Sequence, residues 1–239
     1  MKITIQTDAI TVVLETVILA ILFIALGKKF KKADPMEKPH GVMTFVLWAV
    51  TSVYNSVKDS CGEKFAKNYA PYILVLWCYI FFSNIISLFG ITSPTSNLSV
   101  TLTLSVMTWC VIQYVELKYG GLKAYLHSFI EPIAVMLPMN IIGKFSTMVS
   151  MSLRLFGNIL CGGIMMSMIY SFCNWISTSL IHLITGSTIT WLNFMAPVLA
   201  PLLHAYFDVF SGFIQTLVFV TLSTVLVGND IPDEIKKAD

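Results

Sequence analysis

Residues 150–162 of the 239-residue chain read SMSLRLFGNILCG, an apolar run that contains one charged side chain, Arg154. Arg154 is the only arginine among the 15 basic residues of the protein. A charged side chain near the centre of a bilayer costs about 2.5–3.5 kcal/mol on insertion scales, and it is retained where a function uses it. Because arginine resists the deprotonation that neutralises a buried lysine, this segment predicts a permanent positive charge inside a membrane helix.

The composition of the whole chain is that of an integral membrane protein. Of its residues, 56% are hydrophobic and only 12% are charged, and the mean hydropathy is +0.78. A soluble domain carries about 25% charged residues, so a soluble enzyme of ordinary composition is excluded. The five cysteines have the spacing of neither a metal site nor a disulfide framework, and we expect no metal and no other cofactor.

Five segments are long and apolar enough to span a bilayer, which takes about 20 residues. They cover approximately residues 10–26, 69–90, 98–117, 139–170 and 197–227. Residues 42–57 are apolar at near-helical spacing but polar at their ends, and they predict a helix that lies on the cytoplasmic face of the membrane. We therefore expect an all-α protein, one membrane domain over residues 1–239, with five transmembrane helices and one interfacial amphipathic helix.

The positions of the lysines predict the orientation of the chain. Residues 28–32 (KKFKK) follow the first span directly, and by the positive-inside rule they are cytoplasmic, which places the N-terminus outside and the C-terminus in the cytoplasm. Residues 124–138 contain two prolines and predict short interfacial pieces. Residues 171–196 lack lysine and arginine, and they predict an external excursion. Glu15, in the first span, is expected near the outer interface, with a part in an ion path as the alternative.

Small and polar residues share the helix face of Arg154, because residues three and four apart lie on one side of a helix. They are Gly143, Thr147, Ser150, Gly157, Asn158, Cys161 and Gly162. Small residues let a second helix approach closely in a bilayer, and the long fourth span is expected to tilt.

The last span carries a second polar face. It consists of Asp208, Ser211, Gly212 and Gln215. An intramembrane aspartate predicts an ion path, with an Asp–Arg salt bridge across the bundle as the alternative. Gln215 is neutral and is expected to hydrogen-bond the guanidinium of Arg154 from the facing helix.

Two motifs, in order, resemble the subunit a family of F-type ATP synthases. Residues 152–158 (SLRLFGN) resemble the signature helix of that family, and residues 206–216 (YFDVFSGFIQT) resemble its last membrane helix. Residues 79–84 (YIFFSN) and 93–102 (SPTSNLSVTL) are weaker matches. The resemblance covers roughly residues 70–228.

The resemblance implies a stator subunit of a rotary ATP synthase, with a tilted helix pair that faces a ring of c subunits. Two half-channels would carry H⁺ or Na⁺, and Arg154 would drive ion release from the ring carboxylate and block leakage, supported by Asn158, Gln215 and Ser150. The implied partners are the c-subunit ring, the subunit b peripheral stalk, the remaining synthase subunits and the lipid bilayer, without nucleic acid. We expect a bacterial plasma membrane location and no catalytic centre of its own. The ion-path candidates are Asp208, Asn84, Asn97, Asn140 and Lys144, with Glu131 and His182 as further candidates.

The sequence departs from the common pattern of this family along the ion path. Asn97 stands where many members have aspartate, Gly163 stands at a position that is often glutamate, and the counterpart of Asp208 is histidine in some members. An acid is also common around Lys144. The choice between H⁺ and Na⁺ therefore stays open.

Two other function classes are considered. One is a secondary transporter or channel with a site formed by Arg154 and Asp208, although no inverted repeat is visible in the sequence. The other is a passive membrane scaffold, for which the cost of burying Arg154 has no purpose. In a scaffold, replacement of Arg154 by alanine would be tolerated.

Overall fold

The computed structural model describes residues 7–32, 41–89, 91–130, 134–185 and 195–232. Within these ranges the chain forms α-helices joined by short 3₁₀ and π segments, and it contains no β-strand. The α-helices are α1 Thr7–Lys32, α2 Val42–Cys61, α3 Glu63–Ile85, α4 Leu98–Val115, α5 Gly121–Ile130, α6 Leu137–Thr185, α7 Ala196–His204 and α8 Gly212–Asn229. The 3₁₀ segments are Ile86–Phe89, Pro94–Ser96 and Ala134–Met136, and the π segments are Glu116–Gly120 and Ala205–Ser211.

Five helical stretches of the described chain are long and apolar enough to cross a membrane. They are Ala9–Lys31, Glu63–Leu88, Leu98–Lys123, Leu137–Leu183 and Ala196–Asn229. The predicted all-α membrane protein with five spanning helices is thus confirmed. Helix α2 is not among the five, and it exposes Val42, Phe45 and Trp48, which recur every three residues along one side.

The core lies where α2, α3, α4, α6 and α8 meet. Ile73, Ile80 and Phe219 are at most 1% exposed there. The contact between α2 and α8 depends on Gly228, since a Cβ at this position would lie 2.6 Å from the backbone oxygen of Ser60. Close packing of this kind fixes how α8 is held against the rest of the bundle.

Helix α1 contacts the bundle along one side only. Ile21 and Ile24 of its outer side are more than half exposed, whereas Glu15 is 2% exposed. The Ser83 hydroxyl of α3 donates a hydrogen bond of 3.0 Å to Glu15 Oε2. Packing of α1 on α3 thus encloses this side chain within the protein. The expectation that Glu15 lies near the outer interface of the membrane stays a prediction.

Helix α6 is much longer than the sequence predicted. It contains 49 residues, which at a rise of 1.5 Å per residue is about 74 Å. The segment after residue 170, for which the sequence predicted an external excursion, is helical up to Thr185, since residues 171–185 contain no glycine or proline that would end the helix. That it lies outside the membrane stays a prediction. A helix longer than twice the roughly 30 Å hydrocarbon core must incline steeply to stay in the bilayer.

A helical hairpin connects α4 to α6. The π segment Glu116–Gly120 ends at Gly121, whose φ of 75° is a conformation that favours glycine. Helix α5 follows, and its Tyr125 hydroxyl donates a hydrogen bond of 2.8 Å to Gln113 Oε1 near the end of α4. The short pieces predicted for residues 124–138 correspond to the end of α5 and one 3₁₀ turn, while residues 131–133 lie outside the described residues.

The last span is one helical stretch with a π segment in its middle. Pro197 lies in the first turn of α7, where a backbone N–H would have no hydrogen-bond acceptor within the helix. The missing N–H of proline therefore costs no helical hydrogen bond there. Pro201 lies inside α7, and the π segment Ala205–Ser211 follows within four residues. The sequence predicted a regular helix here. Short π segments within α-helices are frequent at functional sites, and this one contains Asp208.

Candidate functional site

Arg154 lies on an open face of α6. Its side chain is exposed, and among the described residues no hydrogen bond or ion pair to it is found. Ser150, one turn earlier, is also exposed, and a Cβ added at Gly143 or Gly157 would meet no atom within 4 Å. The predicted small-residue face is therefore uncovered along most of its length in the single chain, which leaves it free for contact with a partner.

A cavity of about 190 Å³ lies between α3, α6 and the π segment of the last span. It brings together three residues that the sequence analysis had singled out separately, Asn84, Asn158 and Asp208. The other polar side chains in its lining are Ser87 and His204. Two predicted ion-path residues, Asn84 and Asp208, thus share one cavity with Asn158, which was predicted to support Arg154.

Asn158 connects this cavity to Arg154. It lies four residues after Arg154 and so projects from nearly the same side of α6. Its Oδ1 accepts a hydrogen bond of 2.6 Å from the Ser211 hydroxyl of the π segment. This bond ties α6 to the last span one helical turn away from the arginine.

Asn84 lines the cavity and also connects two helices by hydrogen bonds. It is 4% exposed, and its Nδ2 donates to the carbonyl oxygen of Gly212 at 3.1 Å and to Thr216 Oγ1 at 3.4 Å. The Thr95 hydroxyl donates to Asn84 Oδ1 at 3.5 Å. Because buried amides need such partners, Asn84 helps to hold α3 against α8.

Asp208 is joined to histidine and not to Arg154. Its Oδ2 lies 2.6 Å from Nδ1 of His204, which is one turn earlier in the same helical stretch. The Nε2 of His204 lies 2.9 Å from the hydroxyl oxygen of Tyr170 on α6. No Asp208–Arg154 salt bridge is present among the described ion pairs.

Gln215 does not bond Arg154 in this structure. Its Nε2 is buried and lacks a hydrogen-bond partner within the described part of the chain. A buried amide donor without a partner is costly. The Nε2 of Gln215 is therefore available to a hydrogen-bond acceptor that the described part of this chain does not supply. The supporting role of Gln215 stays a prediction.

A second polar cluster surrounds Lys144 near the start of α6. Lys144 Nζ lies 2.5 Å from Glu116 Oε1 and 3.2 Å from the Ser128 hydroxyl, and both charged side chains are less than a quarter exposed. The ammonium also lies 4.4 Å from the ring centroid of Tyr125 and 4.3 Å from that of Phe129. Hydrogen bonds and two aromatic faces together compensate the positive charge.

Two further candidates have local structural partners. Asn140 Nδ2 donates to the carbonyl oxygen of Phe129 at 2.9 Å, next to the Lys144 cluster. Asn97 is the N-cap of α4, and its Oδ1 accepts from the backbone N–H of Ser99 at 3.0 Å. Neither residue lines the cavity that contains Asp208.

The pKa of Asp230, just after α8, is affected by the charges of the same cluster. Removal from water raises the pKa of its carboxyl to about 6, and the negative charge of Glu116 adds to the rise while Lys144 opposes it. The carboxyl of Asp230 therefore titrates close to neutral pH beside the Lys144 pair.

Sequence reasoning missed Glu116, Tyr170 and His204. The spacing of four residues between His204 and Asp208 was a usable signal, because such residues share a helix face. The pairing of Glu116 with Lys144, 28 positions apart, had no signal in the sequence pattern. Of the further candidates, Glu131 lies outside the described residues, and His182 is exposed near the end of α6 and does not line the cavity.

Comparison with known proteins decides the family. The family model described as ATP synthase A chain matches residues 9–228. The chain belongs to the ATP synthase A chain family. This confirms the resemblance inferred from the two motifs, and it extends the match to the first membrane helix.

Individual members of the family match along most of their length. ATP synthase subunit a of Oceanobacillus iheyensis is 33% identical over 206 residues, which is 82% of this chain and 80% of that protein. The subunit of Limosilactobacillus reuteri is 31% identical over 228 residues, 91% of this chain and 90% of its own. The subunit of Bacillus subtilis is 31% identical over 203 residues, 81% of each chain. The relatives are bacterial, and this chain is an integral membrane protein of the same kind.

Proposed function

We propose that this protein is the ion-translocating stator subunit of a rotary F-type ATP synthase. One observation carries the proposal: Arg154 lies on an uncovered face of α6 between two polar clusters. The Lys144 cluster lies ten residues before it, and the cavity at Asn158 begins four residues after it. At 1.5 Å per residue these distances are about 15 Å and about 6 Å along the helix.

Each polar cluster is suited to one half-channel. In the predicted orientation the cavity with Asp208 lies toward the outside, and the Lys144 cluster lies toward the cytoplasm. Since α6 is inclined, the two clusters are offset along the surface that a rotating ring of c subunits would sweep. An ion would then have to ride on the ring to pass from one half-channel to the other.

Arg154 separates the two half-channels by its charge. A carboxylate of the ring about 4 Å away would be favoured in its ionised form by about 4 kcal/mol at an effective dielectric constant near 20. Each ring site would therefore release its ion before it passes Arg154. The same charge repels a cation that leaks directly between the half-channels, and arginine cannot lose it by deprotonation.

The proposed subunit has no catalytic centre of its own. ATP chemistry belongs to other subunits of the assembly, and the c-subunit ring, the subunit b peripheral stalk and the bilayer are the proposed partners. The N-terminus is placed outside, the C-terminus in the cytoplasm, and the membrane is a bacterial plasma membrane. Asn158 supports Arg154 through its bond to Ser211. Ser150 lies on the uncovered face of α6 that would meet the ring, and the buried, unpartnered Nε2 of Gln215 is available to support Arg154 in the assembled complex.

The first test is Arg154→Ala in the assembled synthase. We expect loss of ion-driven ATP synthesis, because the charge that separates the half-channels is gone, while the complex still assembles. Leu153→Ala is the matched control, since this exposed neighbour shortens a side chain on another side of the same turn. ATP synthesis and co-purification with the partner subunits are measured in reconstituted vesicles. ATP synthesis by Arg154→Ala at the normal rate would refute the proposal and favour a passive scaffold.

A further inference from the structure

One side of α1 faces away from the bundle and changes from apolar to basic near its end. Val17, Ile21 and Ile24 are at least half exposed, at 50%, 62% and 58%. Lys28 and Lys31 continue the same spacing of three and four residues, and they are exposed as well. Because residues at this spacing share one side of a helix, the five side chains form one continuous surface, the outer stripe of α1.

The length of the outer stripe matches one leaflet of a bilayer. Val17 lies eleven residues before Lys28, which at 1.5 Å per residue is about 17 Å along the helix. The hydrocarbon of one leaflet is half of the roughly 30 Å core, or about 15 Å deep. The apolar part of the stripe is therefore long enough for one leaflet, and the ammonium groups of Lys28 and Lys31 then lie at the level of its headgroups.

The two lysines of the outer stripe are not neutralised within the described part of the chain. None of its ion pairs includes Lys28 or Lys31. The acids in the sequence of α1 are Asp8 and Glu15, and Glu15 lies thirteen residues before Lys28, about 20 Å away along the helix. The positive charge at this end of α1 is therefore open to an anion from outside the chain.

Helix α3 adds positive charge at the same depth. Glu15 and Ser83 are in contact, and since α2 is not among the spanning helices, α1 and α3 cross the membrane in opposite directions. Lys31 lies sixteen residues after Glu15, and Lys67 lies sixteen residues before Ser83, so the two lysines reach the same level. Lys67 is exposed, and Glu63, the only acid in the sequence of α3, is paired with a lysine of α2 at 2.7 Å. Two neighbouring helices thus carry positive charge at this level.

The side chains of the outer stripe favour a lipid over a second membrane helix. Helices that pack closely in a bilayer use small residues, such as those on the face of α6 that contains Gly143 and Gly157. The apolar part of the stripe consists of one valine and two isoleucines instead. These branched side chains keep another helix backbone at a distance, whereas a flexible acyl chain covers them without a matching surface.

We propose that the outer stripe of α1 binds an anionic phospholipid, with the phosphate between Lys28 and Lys31 and an acyl chain along the apolar side chains. In the predicted orientation this lipid belongs to the cytoplasmic leaflet. Basic residues at the membrane end of a helix attract anionic headgroups, and each lysine strengthens the attraction roughly fivefold. A zwitterionic headgroup carries its own cation, which the lysines repel. The contact goes beyond the proposed stator function and does not depend on it.

The test uses the whole synthase in phosphatidylcholine vesicles with a trace of photoreactive lipid, which is phosphatidylglycerol or phosphatidylcholine with a diazirine on one acyl chain. After illumination, mass spectrometry measures the lipid attached to residues 10–27. We expect phosphatidylglycerol to label this segment at least about fivefold more than phosphatidylcholine does.

Variants of the two lysines test the cause of this preference. Lys28→Gln combined with Lys31→Gln should remove it, whereas Lys28→Arg combined with Lys31→Arg should keep it, because arginine retains the charge. Lys118 and Lys123 are exposed lysines at the connection between α4 and α5. Lys118→Gln combined with Lys123→Gln is the matched control and should leave the preference unchanged.

Several results would overturn the proposal. They are equal labelling by the two lipids in the unmodified protein, a preference that survives the double glutamine variant, and a preference that is lost in the double arginine variant. Competition by excess inorganic phosphate would show that the lysines bind a free anion and not a lipid. Label on a neighbouring synthase subunit in place of residues 10–27 would show that a protein covers the stripe. ATP synthesis by Arg154→Ala tests the stator function separately, so the two failures are distinguishable.

Discussion

Gly212 is the position where the cavity wall tolerates the least change. A Cβ added there would lie 2.8 Å from the Cβ of Asn84, closer than such atoms approach in proteins. The substitution Gly212→Ala must therefore push α3 and α8 apart. The same movement lengthens the bonds from Asn84 Nδ2 to the Gly212 oxygen and to Thr216, now 3.1 and 3.4 Å.

The size of the effect follows from these contacts. Overpacking costs about 1–3 kcal/mol. Two weakened hydrogen bonds cost about 1 kcal/mol each, and the higher helix propensity of alanine returns about 1 kcal/mol. The net destabilisation is about 3 kcal/mol, which is roughly a hundredfold shift in an opening equilibrium.

Buried thiols provide the assay. The thiols of Cys61 and Cys173 are reduced and 2% exposed, so a maleimide reaches them only when the bundle opens. We expect Gly212→Ala to accelerate labelling of Cys61 in the intact complex by up to about a hundredfold. Gly27→Ala is the matched control, since a Cβ at Gly27 of α1 meets nothing within 4 Å. Labelling is read for each cysteine by mass spectrometry.

A second substitution checks the cause. Asn84→Gly in the Gly212→Ala background removes the clashing Cβ but does not restore the hydrogen bonds of the Asn84 side chain. Labelling should therefore become slower again, but only part of the way. Labelling of Gly212→Ala within threefold of the unmodified protein would refute the close-contact argument. Equal rates with and without Asn84→Gly would refute the assignment of the clash to that Cβ.

Two further predictions concern the Lys144 cluster. Glu116→Gln leaves a mostly buried ammonium without its carboxylate, so the complex should lose about 3–5 kcal/mol of stability in a thermal inactivation assay. Lys118 is an exposed lysine on the same π segment, and Lys118→Gln should change the stability of the complex little. The pKa of Asp230 is about 6 in the folded chain against 3.8 for an ordinary aspartate, so the folded state holds this proton more tightly, and stability should fall as the pH rises from about 4 to 6. Asp230→Asn should stabilise the protein above pH 6 and not below pH 4; a gain at both pH values would contradict the titration.

Much of this protein could be predicted from local sequence pattern. Five apolar stretches gave the spanning helices, because a bilayer selects for continuous apolar length. Arg154 stood out because a charge inside such a stretch is costly. Asn84, Asn158 and Asp208 were each recognised as polar residues at membrane depth, and the structure brings them to one cavity.

The tertiary structure decided which polar groups meet. Asn97 proved to be a helix cap and Lys144 the partner of Glu116, while Asp208 bonds His204 and not Arg154. Helical periodicity assigns a residue to a face, but the rotation and crossing of two helices determine what that face contacts. The length of α6 was also misjudged, since the thickness of a bilayer limits a perpendicular helix and not an inclined one.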